Sequence, residues 1–564
     1  ADRDTMRWAI APFPLGPAVA KDYPEVEEAV RFVGSGRTMF KNGDLRLYED
    51  KVFFADSNVF RVFTCPFIEG NPETALKAPN SIVISESSAI KFFGRNKTYL
   101  GKTLENVNGK VYNVTGVMKD VPKNSHFIFN ILASRSTLPA DFGNNWGNFD
   151  YYTYVLLRPG TTAAAFDQKM KPMYDKYLAS IFAKYNIKIR FSAQPITAIH
   201  LHSDTANEPE ELGSMSYIYI FSAVAFFMLL IACINYMNLT TARSARRAKE
   251  IGIRKVTGSS KLQLVSQFLI ESTLTAVFAL LLSIGLIAAF LPMFNSLSGK
   301  YISFGSMFRP DTIVILLAVI VFVGMVGGSY PAFYLSRFNP VNVLKGSLSK
   351  GSSNVNLRKA LVVIQFSISM IMLICTWVVY GQLRYLRNKD LGFDKAQVLT
   401  AMAVTDRDIR SSVLSFKNEI RNNPKVLSVS TASSVPGQGI SFNLFSVQSK
   451  DGYVDKGVDV YAIDEDYLKT LGIKMAKGRN FSGISDTLHS ILVNEKMVQE
   501  FGWGDNPVGK RVKYPGDTSG YYLEVVGVVK DFNQKSLYNP ITPLILLYSR
   551  NNNLIQLKLN TADI

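Results

Sequence analysis

Residues 217–239 read YIYIFSAVAFFMLLIACINYMNL, without a single Asp, Glu, Lys or Arg. At ~1.5 Å per helical residue such a run reaches roughly 30 Å, the thickness of a bilayer's hydrocarbon core. Three more runs, at 272–293, 313–333 and 360–380, are equally free of charge. A buried core helix also excludes charge, but four uncharged runs of 21 to 23 residues in one chain predict membrane spans. The flanks are polar, so the mean hydropathy of the 564-residue chain is only +0.09. The expected layout is a first polar domain at 1–215, a three-span block at 216–346, the fourth span with its lead-in at 347–386, and a second polar domain at 387–564.

Charge sets the expected orientation. The loop 240–271 carries Arg243, Arg246, Arg247, Lys249, Arg254, Lys255 and Lys261 against Glu250 and Glu271. The loop 334–359 carries Arg337, Lys345, Lys350, Arg358 and Lys359 with no acid, whereas 294–312 has only Lys300 and Arg309 beside Asp311. Excess Lys and Arg mark cytoplasmic loops, which puts both polar domains on the outer face. Those two loops hold 12 of the 62 basic residues, so the +17 net charge needs no nucleic acid as partner. Zinc-finger, RNA-binding and basic-helix patterns are absent as well. Cys233 and Cys375 fall inside spans and leave Cys65 alone, so neither polar domain can hold a disulfide scaffold. The sequence opens at Ala1 with neither Met nor an apolar leader; an outward-facing first domain needs such a segment, so a cut before Ala1 is expected.

The polar domains repeat one pattern. Ile82-Val83-Ile84-Ser85-Glu86, Phe93-Gly94, Gly101-Lys102, Val114-Thr115-Gly116-Val117 and Lys119-Asp120 come in that order in the first. Ile491-Leu492-Val493-Asn494-Glu495, Phe501-Gly502, Gly509-Lys510, Val525-Val526-Gly527-Val528 and Lys530-Asp531 follow in the second. The offset is 408 at Gly101/Gly509 and 411 at Gly116/Gly527, a three-residue insertion. The pattern predicts a strand, a short helix opened by Ser-Glu or Asn-Glu and closed by a C-cap glycine, a turn, then strands. The glycine of Val-x-Gly-Val marks a place where another backbone passes close. Each copy is therefore expected to be a mixed α/β domain.

Two apparent chemical motifs dissolve on inspection. Gly504-Asp-Asn-Pro-Val-Gly509-Lys510 spells a phosphate loop until Arg511 replaces its final hydroxyl residue, and its twin from Gly94 to Gly101-Lys102-Thr103 has six intervening residues instead of four. Both follow a helix rather than a strand, so both read as structural turns and no nucleotide site is expected in this chain. His200-Leu201-His202 would put two ligands on one face of a strand but offers no third, and reads as structural. Metalloprotease, nucleophile-elbow and triad patterns are absent.

The functional stretch is 240–260, TTARSARRAKEIGIRKVTGSS. From 242 to 256 it contains no Pro and one Gly, Gly252. Ile251, Ile253 and Val256 form an apolar patch beside a basic face, and Leu262, Leu264, Val265 and Phe268 suggest a helix returning to the membrane. A positive-inside loop explains the Arg and Lys. It does not explain the apolar patch, Glu250 or the placement of Gly252 and Gly258, which suit a helix docking in a partner's groove.

EIGIRKVTGSS at 250–260, with FLIES at 268–272, is similar to the signature of the FtsX-like permease domain of MacB-type ABC transporters. Ser329-Tyr330-Pro331-Ala332, Asn339-Pro340-Val341 and Leu344-Lys345-Gly346 resemble the end of that domain. Tyr23-Pro24-Glu25-Val26 and the strand–helix–Phe-Gly pattern resemble the family's periplasmic core domain. The implied fold is a membrane α-helical bundle with four spans present, plus two α/β (α+β) periplasmic core domains related by internal duplication. A family unit is one helix, a periplasmic domain and three helices, so the resemblance implies an eight-helix parent with one helix before Ala1 and three after Ile564. It further implies a multi-pass protein of the bacterial cytoplasmic (inner) membrane, surrounded by lipid. Its partners would be a cytoplasmic ABC ATPase dimer, a second permease copy or sister permease, and a periplasmic adaptor or outer-membrane protein. ATP and Mg would be bound by the ATPase, leaving this chain non-catalytic and without a cofactor.

In the same resemblance 242–258 is the coupling helix. Arg246, Arg247, Lys249, Glu250, Arg254 and Lys255 make its polar contacts, and Ile251 and Ile253, flanking Gly252, are its apolar anchors. Relatives transmit ATP-driven closure mechanically to periplasmic domains. The uncharged spans agree, because carriers that pass substrate across the bilayer usually keep ionisable groups at mid-membrane. Gln365 is the long polar side chain of the fourth run, and Glu271 stands at the inner edge of the second. Gly324-x-x-x-Gly328 permits close helix packing, and Pro331 is expected to kink or end its span. The implied function is the permease of an ATP-powered exporter of peptides, antibiotics or lipoproteins. The alternative is an FtsX-like, non-transporting signal transmitter acting on a periplasmic partner.

Overall fold

The computed structural model describes residues 6–95, 98–183, 187–336, 352–402, 407–450, 452–487, 489–517, 519–550 and 552–560. Asn339-Pro340-Val341, Leu344-Lys345-Gly346 and the loop bases Arg337, Lys345 and Lys350 lie outside the described residues. Two compact units form, one from Ala1–Leu212 with Asn388–Ile564 and one from Gly213–Arg387.

The first unit holds two mixed sheets. The first contains β1 (Ala11–Pro12), β2 (Val26–Asn42), β3 (Leu45–Ala55), β4 (Phe67–Gly70), β5 (Ser81–Ser85), β6 (Thr103–Asn106), β7 (Val111–Met118), β8 (Ile131–Ser134) and β9 (Phe149–Leu157). Their order is β1-β9-β2-β3-β8-β5-β7-β4, with β6 bonded to β2 and β7. The second contains β10 (Val398–Met402), β11 (Val426–Ala432), β12 (Ser441–Ser449), β13 (Gly452–Ile463), β14 (Met475–Gly478), β15 (Ser490–Asn494), β16 (Arg511–Lys513), β17 (Leu523–Val529), β18 (Leu544–Tyr548) and β19 (Leu554–Leu559). Their order is β10-β19-β11-β13-β12-β16-β17-β15-β18, with β14 on β17 and a further β13–β18 pairing.

The duplication holds in the strand pairings of every strand but β2. β5 runs parallel to β7 and antiparallel to β8; β15 does the same with β17 and β18. Even the register slips coincide, between Ile82 and Val83 and between Ile491 and Leu492. β5 is buried at every position and β15 at all but its first, so both read as continuous apolar runs rather than alternating ones. The 17-residue β2 bonds to β9 with its first half and to β6 with its end. The second copy divides that strand into β11, on β19, and β12, on β16. Phe32 pairs with Ala55 and Ala432 with Ile463. The offset is 408 at Ile463 but only 405 at Ser441, which pairs with Val460 as Gly36 pairs with Val52; from 400 at Ala432 that is a five-residue insertion within 433–440. It falls where β2 slips register between Gly34 and Gly36.

The repeated motifs have physical causes. A Cβ on Gly527 would lie 2.3 Å from the Arg479 carbonyl oxygen, and one on Gly116 2.6 Å from the Phe67 ring. Ser85 caps the helix Glu86–Phe93, accepting from Ser88 N, and Asn494 caps Glu495–Glu500, accepting from Met497 N. Asp120 accepts from Ser87 N at 3.0 Å and Asp531 from Lys496 N at 2.8 Å, so the Lys-Asp motif puts a carboxylate on each helix N-terminus. Gly94 is the C-cap of the first helix, but Phe501 caps the second and Gly502, with φ +65, follows it. Gly101 N donates to Val114 O and Gly509 N to Val525 O, so the loops that resemble phosphate loops are strand turns with those amides occupied. His200 and His202 lie on the helix Ile196–His202, not on a strand; two residues apart on a helix, they diverge. Among the described residues no cluster could hold a metal.

The second unit contains four long helices, Met215–Val256, Lys261–Ser298, Pro310–Ser336 and Ser352–Asn388. Their membrane-crossing portions are Met215–Thr240, Lys261–Ser298, Pro310–Ser329 and Lys359–Asn388. The third helix packs on the first two through its glycines. A Cβ on Gly324 would meet Thr273 Oγ1 at 2.4 Å, on Gly328 Ser272 Oγ at 2.8 Å, and on Gly327 the Tyr236 ring at 3.0 Å. Helix continues past Pro331 to Ser336, so that proline does not end it. None of residues 359–388 is buried.

Candidate coupling site

The stretch expected to be a separate cytoplasmic helix is the uninterrupted continuation of the first membrane helix. Backbone helix runs from Met215 to Val256, with no break where the apolar run ends at 239. The physical reason lies in composition: residues 240–256 have no Pro, and Ala, Arg, Lys and Glu favour helix whether or not the surroundings are apolar. Four residues then reverse the chain. Thr257 N donates to Ile253 O, Gly258 N to Lys255 O and Ser259 N to Arg254 O. Gly258 has φ +103, a left-handed value that a Cβ-bearing residue resists. Ser260 opens the next helix with a reciprocal cap: its hydroxyl accepts from Gln263 N at 3.3 Å, and Gln263 Oε1 accepts from Ser260 N at 2.8 Å.

The result is a helical hairpin. Ile251 is only 3% exposed and packs on Leu264 and Phe268 of the returning helix. Arg254 bonds Gln267 Oε1 at 3.0 Å across the hairpin and Glu250 Oε1 at 2.7 Å along it. The Glu250–Arg254 pair is about half exposed, so it contributes at most ~0.5 kcal/mol. Ile253 is 51% exposed, Val256 66% and Leu262 81%, which leaves apolar surface at the hairpin tip. Deeper in, Tyr236 donates to Ser272 Oγ at 3.2 Å, tying the first two helices beside Gly327 and Gly328.

The nine expected coupling residues are thus divided. Arg246, Arg247 and Lys249 lie on the helix, but their side chains, with Gly252, lie outside the described residues. Glu250 and Arg254 pair with each other, Lys255 stands in the last turn, Ile253 faces out, and Ile251 faces in. The expectation that Ile251 serves as a docking anchor is revised, because its side chain closes the hairpin. Sequence reasoning missed Gln263 and Gln267, and read Leu262 as part of the returning helix rather than as exposed tip surface. The first was legible, since Ser260-x-x-Gln263 is a capping-box spacing.

The FtsX-like permease C-terminal family matches residues 222–340. The MacB-like periplasmic core domain family matches 4–173 and 359–562, more than half of the chain. The macrolide export ATP-binding/permease protein MacB of Agrobacterium fabrum is 30% identical over 143 residues, 25% of this chain and 22% of that protein. The protein of the same name from Psychrobacter cryohalolentis is 28% identical over 143 residues, 25% of this chain and 21% of that protein. The alignment thus spans about a fifth of these relatives. The periplasmic region of MacB from Actinobacillus actinomycetemcomitans superposes with TM-score 0.23 and 17% identity, covering 32% of this chain and 81% of that one.

Proposed function

Since the chain belongs to the MacB/FtsX-like family of ABC transporter permeases, we propose that it couples ATP hydrolysis in a separate cytoplasmic ATPase dimer to movement of its two periplasmic core domains. The work done is export or extrusion of a periplasmic or membrane substrate such as a peptide, antibiotic or lipoprotein. The chain lies in the inner membrane and acts with a second permease copy or a sister permease. One observation carries this reading. The first membrane helix runs without interruption into a basic hairpin, closed by Ile251 on Leu264 and Phe268, whose tip leaves Ile253, Val256 and Leu262 exposed. A helix that continues unbroken past the end of the apolar run transmits displacement, whereas a flexible loop would absorb it. Exposed apolar residues next in sequence to Arg254, Lys255 and Lys261 suit a partner's groove. Ile253 and Leu262 are the anchors, and Ile251 with Leu264 and Phe268 keeps the lever stiff.

Co-purification of the intact chain with its ATPase tests this. Ile253→Asp with Leu262→Asp should weaken binding at least ~10-fold, about 1.4 kcal/mol, as loss of a buried apolar anchor does. Undiminished binding by that double variant removes the coupling assignment. Substrate stimulation of ATP hydrolysis in the reconstituted pair is the expected sign of transport; hydrolysis indifferent to every substrate but responsive to a periplasmic protein points to signalling instead.

A further inference from the structure

The first outer sheet is fastened to its exit segment by a clasp. The segment 203–210 precedes the membrane helix, whose N-cap is Ser214. Ala206 N donates to Arg7 O at 2.8 Å and Ala9 N to Ala206 O at 2.9 Å. Tyr152 of β9 donates to Asn207 O at 3.0 Å. Lys51 of β3 reaches Glu210 Oε1 at 2.7 Å and Pro209 O at 3.4 Å. Within the segment Ser203 and Thr205 donate to Glu208 Oε1 at 2.8 and 2.5 Å. Residues 211–213 alone separate the last tie, at Glu210, from Ser214, about 13–14 Å of fully extended chain. Any larger displacement of the helix end must pull on the clasp.

The backbone is strained at the same place. Among the described residues the non-glycine positions with left-handed φ are Lys51, Asn80, Asn207 and Gln397. Two of these four, Lys51 at +59 and Asn207 at +61, belong to the clasp. Asn130 enforces the conformation at Lys51: its amide N donates to Lys51 O at 3.0 Å, and its side chain to Glu49 Oε1 at 2.7 Å and Asp50 O at 3.3 Å. Strain held by surrounding bonds marks a position whose direction matters. The duplicate gives the contrast. Val52 pairs with Ile131 as Val460 pairs with Ile545, so the counterpart of Lys51 is Asp459. Asp459 is buried and bonded inside its own domain, to Lys535 at 2.7 Å and Thr542 at 2.5 Å. The basic residue reaching for the exit segment is a feature of the first copy.

We propose that Lys51 is a positioning residue of the coupling path: it clasps the segment 203–210 to β3, so that motion of the first membrane helix is delivered to the first outer sheet. The proposal rests on the coupling function given above. The test uses the intact chain with its ATPase in lipid nanodiscs, and reads hydrogen exchange of amides 45–55 with and without ATP. Wild type should show an ATP-dependent change in exchange. K51E should reduce that change at least five-fold while ATPase binding and the exchange of amides 26–33 stay as in wild type. The double variant K51E/E210K should restore it. Should K51E fail to fold, E210Q, which removes one charge at constant size, must give the same loss. An ATP response in the folded variant equal to wild type overturns the clasp alone. A wild-type chain without any ATP response at 45–55 overturns the coupling function and the clasp together. Loss of response in the Ile253→Asp, Leu262→Asp chain but not in K51E leaves coupling standing and removes Lys51 from its path.

Discussion

In the first outer sheet Asp56, just beyond β3, accepts from Arg31 N at 3.0 Å and pairs with the Arg31 guanidinium at 2.8 Å. In the second, Asp464, just beyond β13, accepts from Thr431 N at 2.7 Å and pairs with Lys417 at 2.7 Å. Lys417 comes from the separate helix Arg407–Arg421, whereas Arg31 lies on β2 itself. The backbone task is the same in both copies: a carboxylate locks the end of one strand to the amide of its neighbour. The counter-charge was free to move. Duplicated sheets therefore keep what the backbone requires and vary what a side chain can supply from elsewhere.

Removing the shared carboxylate separates the two arrangements most strongly. Lys417 and Asp464 are almost wholly buried, at 5% and 2% side-chain exposure, against 13% and 17% for Arg31 and Asp56. Asp464→Ala leaves Lys417 its second partner, Asp466 at 2.7 Å, but removes the buried acceptor of the Thr431 amide and hydroxyl as well as one ion pair, so it should destabilise the second sheet by about 3 kcal/mol. Asp56→Ala should cost less, about 2 kcal/mol, because Arg31 keeps the Phe13 carbonyl at 3.3 Å and the Phe13 ring at 3.9 Å. Hydrogen-exchange protection of β13 and β3 in the intact chain reads both. Equal losses would show that the cation's origin is immaterial.

A finer contrast lies in the helix caps. The Ser85 hydroxyl accepts from Ser88 N at 3.3 Å, and its other partners among the described residues are the nearby hydroxyls of Ser87 and Ser88. Asn494 accepts from Met497 N at 3.1 Å and from Leu544 N at 3.0 Å, and donates to Thr542 O at 3.0 Å, so it also ties β15 to β18. Ser85→Ala should cost about 1 kcal/mol, the usual value of a cap, and Asn494→Ala about 2–3 kcal/mol with its extra buried bonds. Urea midpoints resolved by exchange at each helix measure the difference. A cap-only loss at Asn494 would mean that the strand tie is weak.

The membrane architecture and the duplication were legible because they rest on strong signals. Charge exclusion over 21 residues and ordered repeats such as Val-x-Gly-Val leave few other readings. The division of β2 into β11 and β12 was not legible, because the insertion within 433–440 changes the offset before the first recognisable motif. The extent of the first helix was misjudged because loss of hydropathy at 239 ends a span without ending a helix. Ile251 and Ile253 could not be told apart, since a two-residue spacing puts them on different helix faces and only Leu264 and Phe268 decide which face is covered. The clasp at Lys51 leaves no local signature; it joins residues 159 positions apart.

The smallest effect belongs to the first sheet and would sharpen the contrast through pH. His126 lies 3.0 Å from the Tyr154 hydroxyl, and burial pushes its pKa below the usual 6.5, with Glu208 and Glu210 pulling the other way. Near pH 6 the unfolded chain therefore binds a proton that the native sheet takes up less readily. Stability carried by neutral His126 is complete above its unfolded pKa of about 6.5, and declines as pH falls through the interval down to the depressed native value. The first sheet should lose protection between pH 7.5 and 5.5, and His126→Phe should flatten that slope. The two acids opposing the shift belong to the clasped segment, so E210Q should steepen it by removing a charge that favours the protonated ring. A slope unchanged by either substitution would assign the pH response to another group and detach His126 from the clasp.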